Sequence, residues 1–179
     1  MKLAVAVPEI AEHDIAVNFQ TIQTYIKEAI QSNVDLLLFP EAVLTGLVIS
    51  GNYDVDKKYA ISINSEYIKQ IAKLSQTGGI WVALGFIEID NGILYDSAVL
   101  IDNNGDIVLH QRRLSEGWCS TAASPKEYGY ADKYSTADTP WGKVGFMLCG
   151  DLFNVPYYAK NANLDILLFP FARCFGSWL

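Results

Sequence analysis

Three side chains that could do chemistry stand where an apolar run of the sequence ends. Glu41 follows the run Leu36–Pro40, Cys149 ends the segment Gly145-Phe-Met-Leu, and Arg113 closes a predicted strand. A carboxylate at the carboxyl end of a strand lies where α/β proteins place their sites, and partial desolvation makes it a usable general base. A thiol on a sharp turn can act as a nucleophile, and a nearby fixed cation lowers its pKa and stabilises an oxyanion.

Each of these residues also has an ordinary explanation. Most glutamates are solvated and most free cysteines are small buried hydrophobes, while an arginine at a strand end is commonly a surface charge. The two histidines, His13 and His110, lie in an early polar loop and in the middle of a predicted strand. A glutamate base with a cationic partner is therefore the more natural thiol-activating set. The sequence has no glycine-rich phosphate loop and no metal-ligand spacing, so it predicts no cofactor and no metal.

The first part of the chain predicts a strand–helix–strand unit. The β-branched run Lys2–Val7 indicates a buried strand, and Val34–Phe39 indicates a second one. Between them, apolar residues spaced three and four apart predict a helix that begins at Asp14 and ends at Asn33. This order is typical of a sheet covered by helices.

The pattern then continues with variation. Residues 65–76 predict a second helix, ended by Gly78-Gly79, and the turn signals Asn91-Gly92 and Asn104-Gly105 divide residues 80–112 into a three-strand meander. Residues 115–135 have no clean periodicity and predict a long loop, whose aromatic residues suggest either a pocket lining or incidental surface positions. The remaining predicted elements are a strand over 143–149, a short helix over 155–161 and a strand over 165–169.

One segment of the sequence occurs twice. Asp35-Leu-Leu-Leu-Phe-Pro40 matches Asp165-Ile-Leu-Leu-Phe-Pro170 with one substitution, and each copy follows a helix-like segment. Two buried strands can match by chance. The alternative is a pseudo-symmetric pair of halves, each contributing a sheet.

Composition excludes several classes of protein. The chain has 179 residues, of which 51% are hydrophobic, and this supports one solid core rather than a disordered chain. Its net charge of −7 is opposite to that of a typical nucleic-acid-binding protein. Three cysteines without CxxC spacing favour reduced thiols and a cytoplasmic location, and we expect neither a signal peptide nor a membrane partner.

Taken together, three segments resemble the motifs of the nitrilase superfamily of carbon–nitrogen hydrolases, in that family's order. Leu36-Leu-Leu-Phe-Pro-Glu41 is similar to the catalytic-glutamate motif and Gly105–Arg113 to the catalytic-lysine motif. Thr139–Asp151 is similar to the nucleophile motif. The resemblance implies one α/β domain over residues 1–179, a four-layer α-β-β-α sandwich whose C-terminal part is missing, because family members continue well beyond this length.

The resemblance also implies an activity. Glu41 would take the proton of the Cys149 thiol, which would attack a small-molecule amide or nitrile and form a thioester or thioimidate. Arg113 stands where the family has its catalytic lysine, and Glu127 is the candidate for the second glutamate of many members. The family usually forms homodimers or larger homo-oligomers.

Two alternatives stay open at this point. Arginine is larger than lysine and its charge is delocalised, so the change at Arg113, with the short chain, allows a catalytically impaired subunit that acts in binding or assembly. A different cysteine hydrolase, resembling the isochorismatase type, would have a single doubly wound sheet. The predicted meander disfavours that second alternative.

Overall fold

The computed structural model describes residues 1–120, 123–154 and 162–172, whose strands form two sheets. A five-stranded sheet has the order β1-β2-β3-β4-β5, and a three-stranded sheet has the order β6-β7-β8. The strands are β1 (Leu3–Val5), β2 (Leu36–Leu38), β3 (Trp81–Asp90), β4 (Ile93–Ile101), β5 (Ile107–Arg112), β6 (Thr136–Thr139), β7 (Gly142–Phe146) and β8 (Ile166–Leu168). The helices are α1 (Ile15–Gln31), α2 (Tyr53–Asp56), α3 (Glu66–Gly78) and α4 (Asp151–Asn154).

Both long helices begin and end where the sequence predicts. The Asp14 side chain caps α1 by accepting a hydrogen bond from the Val17 backbone N–H at 3.1 Å, and Ser65 caps α3 in the same way. The helix α3 ends at Gly79, whose φ of 66° is the left-handed conformation that glycine adopts without strain. No helix in the described ranges is long and apolar enough to cross a membrane.

The predicted meander is confirmed, because β3, β4 and β5 pair antiparallel in sequence order. Asn91 and Gly92 both have positive φ at the first turn, as a tight hairpin requires. The sequence did not predict the four-residue strand β6 or the four-residue helix α2, which are too short to show a period. The helix predicted over 155–161 lies outside the described residues.

The two sheets pack face to face, and this arrangement excludes a single doubly wound sheet. Apolar side chains from β2 to β5 contact side chains from β7, β8 and the residues that follow β7. Helices α1 and α3 cover the opposite face of the five-stranded sheet. The buried residues between the sheets are Leu36, Leu38, Trp81, Ala83, Ala98, Leu100, Leu109, Val144, Phe146, Leu148 and Leu168.

The prediction that the first strand is buried is wrong for one of its faces. Ala4 and Ala6 pack against the helices, but Leu3 and Val5 are 42% and 61% exposed. The reason is that β1 lies at the edge of its sheet. Side chains of the three-stranded sheet pack against β2 to β5.

The repeated segment marks two structurally equivalent strand pairs. The parallel pair β1–β2 corresponds to the parallel pair β7–β8. At the start of β2 the Asp35 carboxylate accepts a hydrogen bond from the Lys2 backbone N–H at 2.5 Å, and at the start of β8 Asp165 accepts one from the Lys143 backbone N–H at 2.8 Å. The same contact in both places supports pseudo-symmetric halves over a chance match.

A buried carboxylate holds the strands of the meander together. Glu88 is 1% exposed and accepts hydrogen bonds from Ser97 at 2.6 Å, from His110 at 2.9 Å and from two nitrogens of Arg112. Burial alone would raise the pKa of Glu88, but the hydrogen bonds from Arg112 and His110 outweigh it and lower that pKa from 4.5 to about 2. This network fixes the end of β5, which carries Arg113.

We expect Glu88→Gln to lower the free energy of unfolding by about 2–3 kcal/mol at pH 7, because buried donors lose a charged acceptor. A carboxylate with a depressed folded-state pKa stabilises the fold above its unfolded pKa. The difference between wild type and variant should therefore shrink as the pH falls from 4.5 towards 2. Urea denaturation at several pH values measures this. The exposed control Glu28→Gln should cost less than about 0.5 kcal/mol, and equal effects would contradict the prediction.

Candidate active site

Glu41, Arg113 and Cys149 meet at the end of the interface between the two sheets. The Glu41 side chain is fully buried, and its Oε1 accepts a hydrogen bond from Nη1 of Arg113 at 3.1 Å. The same carboxylate acts on the Cys149 thiol and raises its pKa. The backbone N–H of Ala172, which follows β8, donates to Glu41 Oε2 at 2.8 Å. The structure therefore joins the three residues that the sequence motifs place far apart in the chain.

The backbone turns sharply at Cys149. Its φ of 40° lies in the left-handed region, which is uncommon for residues other than glycine. Its backbone N–H donates to the Pro170 carbonyl at 3.0 Å, which ties the turn to the end of β8. The turn predicted at this cysteine is confirmed, and the thiol is presented at the end of the strand.

One buried carboxylate connects this turn with the segment that carries Arg113. Asp151 is fully buried, and its Oδ1 accepts hydrogen bonds from the backbone N–H groups of Leu114 at 3.1 Å and Ser115 at 2.7 Å. Its Oδ2 accepts from the Leu148 backbone N–H at 3.1 Å. The positions of the cation and the thiol are thus set by the same side chain.

Two glycines leave the space that this arrangement needs. A Cβ at Gly85 on β3 would lie 2.6 Å from the Ala42 backbone nitrogen and 3.0 Å from Glu41 Cα. A Cβ at Gly150 would collide with the guanidinium of Arg113. Any larger residue at either position would displace a member of the cluster.

The guanidinium of Arg113 is almost fully engaged. Its Nε donates to Ser115 Oγ at 3.0 Å, and its Nη1 also donates to Asp96 Oδ2 at 3.4 Å. Its Nη2 donates to the Glu116 carbonyl at 3.3 Å. Within the described residues these contacts and the one to Glu41 use four of the five N–H bonds of an arginine. The remaining one is on Nη2, the nitrogen next to Gly150.

The Cys149 thiol is neutral at physiological pH. Burial and the negative charge of Glu41 raise its pKa from 9.0 to about 11, against the opposing effect of Arg113. Only about one thiol in 10⁴ would then be ionised at pH 7. Glu41 is the carboxylate with the largest charge effect on this thiol.

A pocket of about 670 Å³ opens beside the thiol. Its lining includes Arg113, Glu116, Trp118, Cys149, Phe153 and Phe169. Of the aromatic residues in the loop 115–135, Trp118 lies in this lining. Tyr128 instead donates to Asp56 at 2.6 Å, and Tyr134 is packed against Gly145.

The structure does not bring Glu127 into the cluster. Its backbone pairs with Leu94 and Ser124, and its side chain acts electrostatically on Lys57 and Tyr128. Its role as a second glutamate remains a prediction. The exposed Glu116, by contrast, lies in the pocket beside Cys149.

Arg112 and the two histidines make their contacts away from the cluster of Glu41, Arg113 and Cys149. Arg112 contacts Glu88, Asp90 and the ring of Tyr95, so Arg113 alone of the pair points to the site. His110 contacts Glu88, and His13 stacks on Tyr59 at 4.0 Å.

Sequence reasoning missed Asp96, which is fully buried on β4 and contacts Arg113. A signal for it exists in the sequence. Asp96 occupies the same alternating set of positions as the apolar residues Ala98 and Leu100, which face the other sheet. A carboxylate in an otherwise apolar register indicates a functional or paired group.

Comparisons with known proteins identify the class. The sequence model of the family described as "Carbon-nitrogen hydrolase" matches residues 2–174. A cyanide hydratase of Stereum hirsutum is 28% identical over 176 residues, which are 91% of this chain and 46% of that protein. An arylacetonitrilase of Hypocrea virens is 28% identical over 95% of this chain and 55% of its own length. The chain thus spans about half the length of these curated relatives.

Solved structures give the same fold. A mutant amidase of the nitrilase superfamily from Nesterenkonia AN1 superposes with a TM-score of 0.81 at 16% identity, over 99% of this chain and 67% of that one. A double mutant of the Nesterenkonia amidase in complex with acrylamide gives a TM-score of 0.82 at 15% identity. The chain belongs to the carbon–nitrogen hydrolase family, the nitrilase superfamily, as its motifs predict.

We expect Asp151→Asn to loosen both segments that the carboxylate joins, because one acceptor oxygen becomes an amide donor facing a backbone N–H. The free energy of unfolding should fall by about 1–3 kcal/mol. Hydrogen exchange should accelerate together in residues 113–116 and 147–150. Asp165→Asn is the matched control, since it removes an exposed acceptor and should cost less than about 1 kcal/mol. Faster exchange in only one of the two segments would contradict the link.

We expect the rate of Cys149 alkylation by iodoacetamide to rise with pH around a midpoint of about 11. Glu41→Gln should lower that midpoint towards the ordinary thiol value of 9, because it removes the carboxylate that raises the pKa. Peptide mass spectrometry follows Cys149, with the alkylation profile of Cys119 as internal comparator. A midpoint that does not move would show that Glu41 does not act on the thiol.

Proposed function

We propose that this protein hydrolyses a carbon–nitrogen bond of a small-molecule amide or nitrile, with Cys149 as nucleophile and Glu41 as general base. One observation carries the proposal: the buried carboxylate of Glu41 is paired with the guanidinium of Arg113 at 3.1 Å and acts on the thiol of Cys149. A fixed base, a neutral thiol and a cation in one buried cluster beside an open pocket are the groups that acyl transfer needs.

The steps follow from the protonation states. Glu41 accepts the thiol proton while the sulfur bonds to the carbonyl or nitrile carbon, and the electron pair of the polarised multiple bond moves to oxygen or nitrogen. The N–H on Nη2 of Arg113 that is not engaged by a described acceptor donates to this developing anion. Protonated Glu41 returns the proton to the departing amine, or to the nitrile nitrogen. In the thioester, Glu41 then deprotonates a water that attacks the carbonyl carbon, the C–S bond breaks, and the proton passes to the Cys149 sulfur as the acid leaves. A thioimidate formed from a nitrile first takes up another water and releases ammonia to become that thioester.

The substrate pocket would determine whether the protein acts on an amide or on a nitrile. The curated relatives described above carry names that refer to cyanide or nitriles, whereas the structural relatives are amidases, one of them in complex with acrylamide. These names support a carbon–nitrogen substrate without selecting one. The family resemblance also leads us to propose a homodimer or larger homo-oligomer, which sedimentation of the full-length protein measures.

The engagement of Arg113 supports a second candidate function, a catalytically impaired subunit that binds or assembles. A guanidinium that donates to Glu41, Asp96, Ser115 and the Glu116 carbonyl has little capacity left for a reacting anion. In that case the arginine is a structural crosslink, and the cluster stabilises the fold without turning over substrate.

We expect the full-length wild-type protein to release ammonia from simple amides or nitriles. Glu41→Gln should lower turnover by about 10²–10⁴-fold through loss of the base, and Cys149→Ala should abolish it. If the wild-type protein turned over no member of a broad panel of amides and nitriles, this result would contradict the proposed hydrolase.

The variant Arg113→Lys separates the two candidate functions by the sign of its effect. In a hydrolase adapted to arginine it lowers turnover, because lysine cannot keep the forked contacts to Glu41 and Ser115. In an impaired subunit it creates turnover that the wild type lacks. Arg112→Lys is the matched control, since Arg112 contacts Glu88 and Asp90 away from the thiol. An ammonia-release assay measures the turnover of both variants.

A further inference from the structure

Two carboxylates share one cation inside the site. Nη1 of Arg113 lies 3.1 Å from Glu41 Oε1 and 3.4 Å from Asp96 Oδ2, and both carboxylate side chains are fully buried. Glu41 also acts on the Asp96 carboxyl and raises its pKa. Two like charges in one buried site repel each other, and this favours retention of a proton by the pair.

The surrounding groups show which carboxyl holds that proton. Asp96 faces Glu41 after β2, Arg113 after β5 and Cys149 after β7, and Asp151 adds negative charge next to Arg113. Burial and the charge of Glu41 raise the pKa of Asp96 well above its ordinary value. Glu41 has a donor on each oxygen, from Arg113 and from the Ala172 backbone, whereas Asp96 has one donor among the described residues, so Asp96 is the carboxyl that keeps a proton more readily.

The buried oxygen Oδ1 of Asp96 has no hydrogen-bond partner among the described residues and is the position where this proton would lie. Asp96 Oδ2 accepts from Arg113, whereas Oδ1 is buried and finds no conventional donor among the described residues. An O–H on Oδ1 turns this atom into a donor, and the neighbouring acceptor is the Glu41 carboxylate, which shares Nη1 of Arg113 with Asp96. The buried oxygen is then satisfied rather than orphaned.

We propose that Asp96 is a positioning residue that, as a protonated acid, donates a hydrogen bond to Glu41 and fixes its carboxylate towards Cys149. This inference rests on the proposed role of Glu41 as the base. Arg113 and the Ala172 backbone N–H supply two donors to Glu41, and Asp96 supplies a third. A carboxylate has about four lone-pair sites, so three fixed donors leave the fourth for the thiol proton.

The substitution Asp96→Asn tests the protonation state. The amide keeps an acceptor for Arg113 and a donor for Glu41, so it is the neutral mimic of a protonated aspartate. We expect turnover within about threefold of wild type and an unchanged alkylation midpoint for Cys149. A lowered midpoint would overturn the proposal, because it would show that the wild-type side chain is an anion whose charge acts on the thiol.

Infrared difference spectroscopy reads the proton directly. Wild type at pH 7 should show the carbonyl stretch of a protonated carboxylic acid, and Asp96→Asn should lack it. Absence of that band in wild type overturns the proposal. The infrared band and the alkylation midpoint do not depend on turnover. They therefore determine the protonation state of Asp96 even if the wild-type protein is inactive, a result that would contradict only the proposed hydrolase.

The substitution Asp96→Ala tests the positioning role. It removes the donor and should lower kcat by about 10-fold to 100-fold with little change in KM, since the base loses its orientation and the pocket is unaffected. Activity retained by Asp96→Asn but lost by Asp96→Ala supports positioning by hydrogen bonding. Equal activity in both variants would show that the hydrogen-bond donor is not needed, and would overturn the proposed positioning role of Asp96.

Discussion

The buried cluster depends on the contact of Arg113 with Glu41 and Asp96, because this cation is the counter-charge of both carboxyls. A buried carboxylate without a counter-charge would simply take up a proton and lose its value as a base. The cation allows one anion to persist there, and the second carboxyl must then be neutral. Desolvation makes such pairs costly, so their geometry has to be fixed from several directions.

That geometry comes from the ends of strands in both sheets. Glu41 follows β2, and Ala172, which donates to it, follows the equivalent strand β8. Cys149 is attached to the end of β8 through the Pro170 carbonyl. The pseudo-symmetric halves therefore contribute opposite sides of one cluster, and packing of the sheets brings those sides together. Asp151 adds the connection to β5, where the meander delivers Arg113.

Arginine in this position changes the electrostatics in a specific way. It supplies a forked, permanently charged group that engages two carboxyls and a hydroxyl at once, which a single ammonium could not do with the same directions. The same engagement limits its use towards a reacting anion. Glu41 is thus held by several donors, while within the described residues one N–H of the guanidinium is left unengaged.

The sequence by itself determined the local elements and the identity of the three central residues. Helix α1 followed from its spacing and from Asp14, and the meander followed from Asn91-Gly92, because periodicity, capping and turn chemistry are local properties. Glu41, Arg113 and Cys149 were singled out by the resemblance of their segments to family motifs. Short elements such as β6 left no readable pattern. Exposure of Leu3 on β1 could not be foreseen, because it depends on which sheet lies above that strand.

Only the tertiary structure decided the electrostatic state of the site. Whether the Cys149 thiol is neutral, and which carboxyl holds a proton, depends on burial and on distances between groups from four separate segments. Asp96 illustrates this: sequence reasoning missed it, and its neighbourhood with Glu41 exists only when β2 to β5 lie in one sheet. Sequence encodes residue types and periods, whereas a pKa is set by the charges and solvent that surround the folded group.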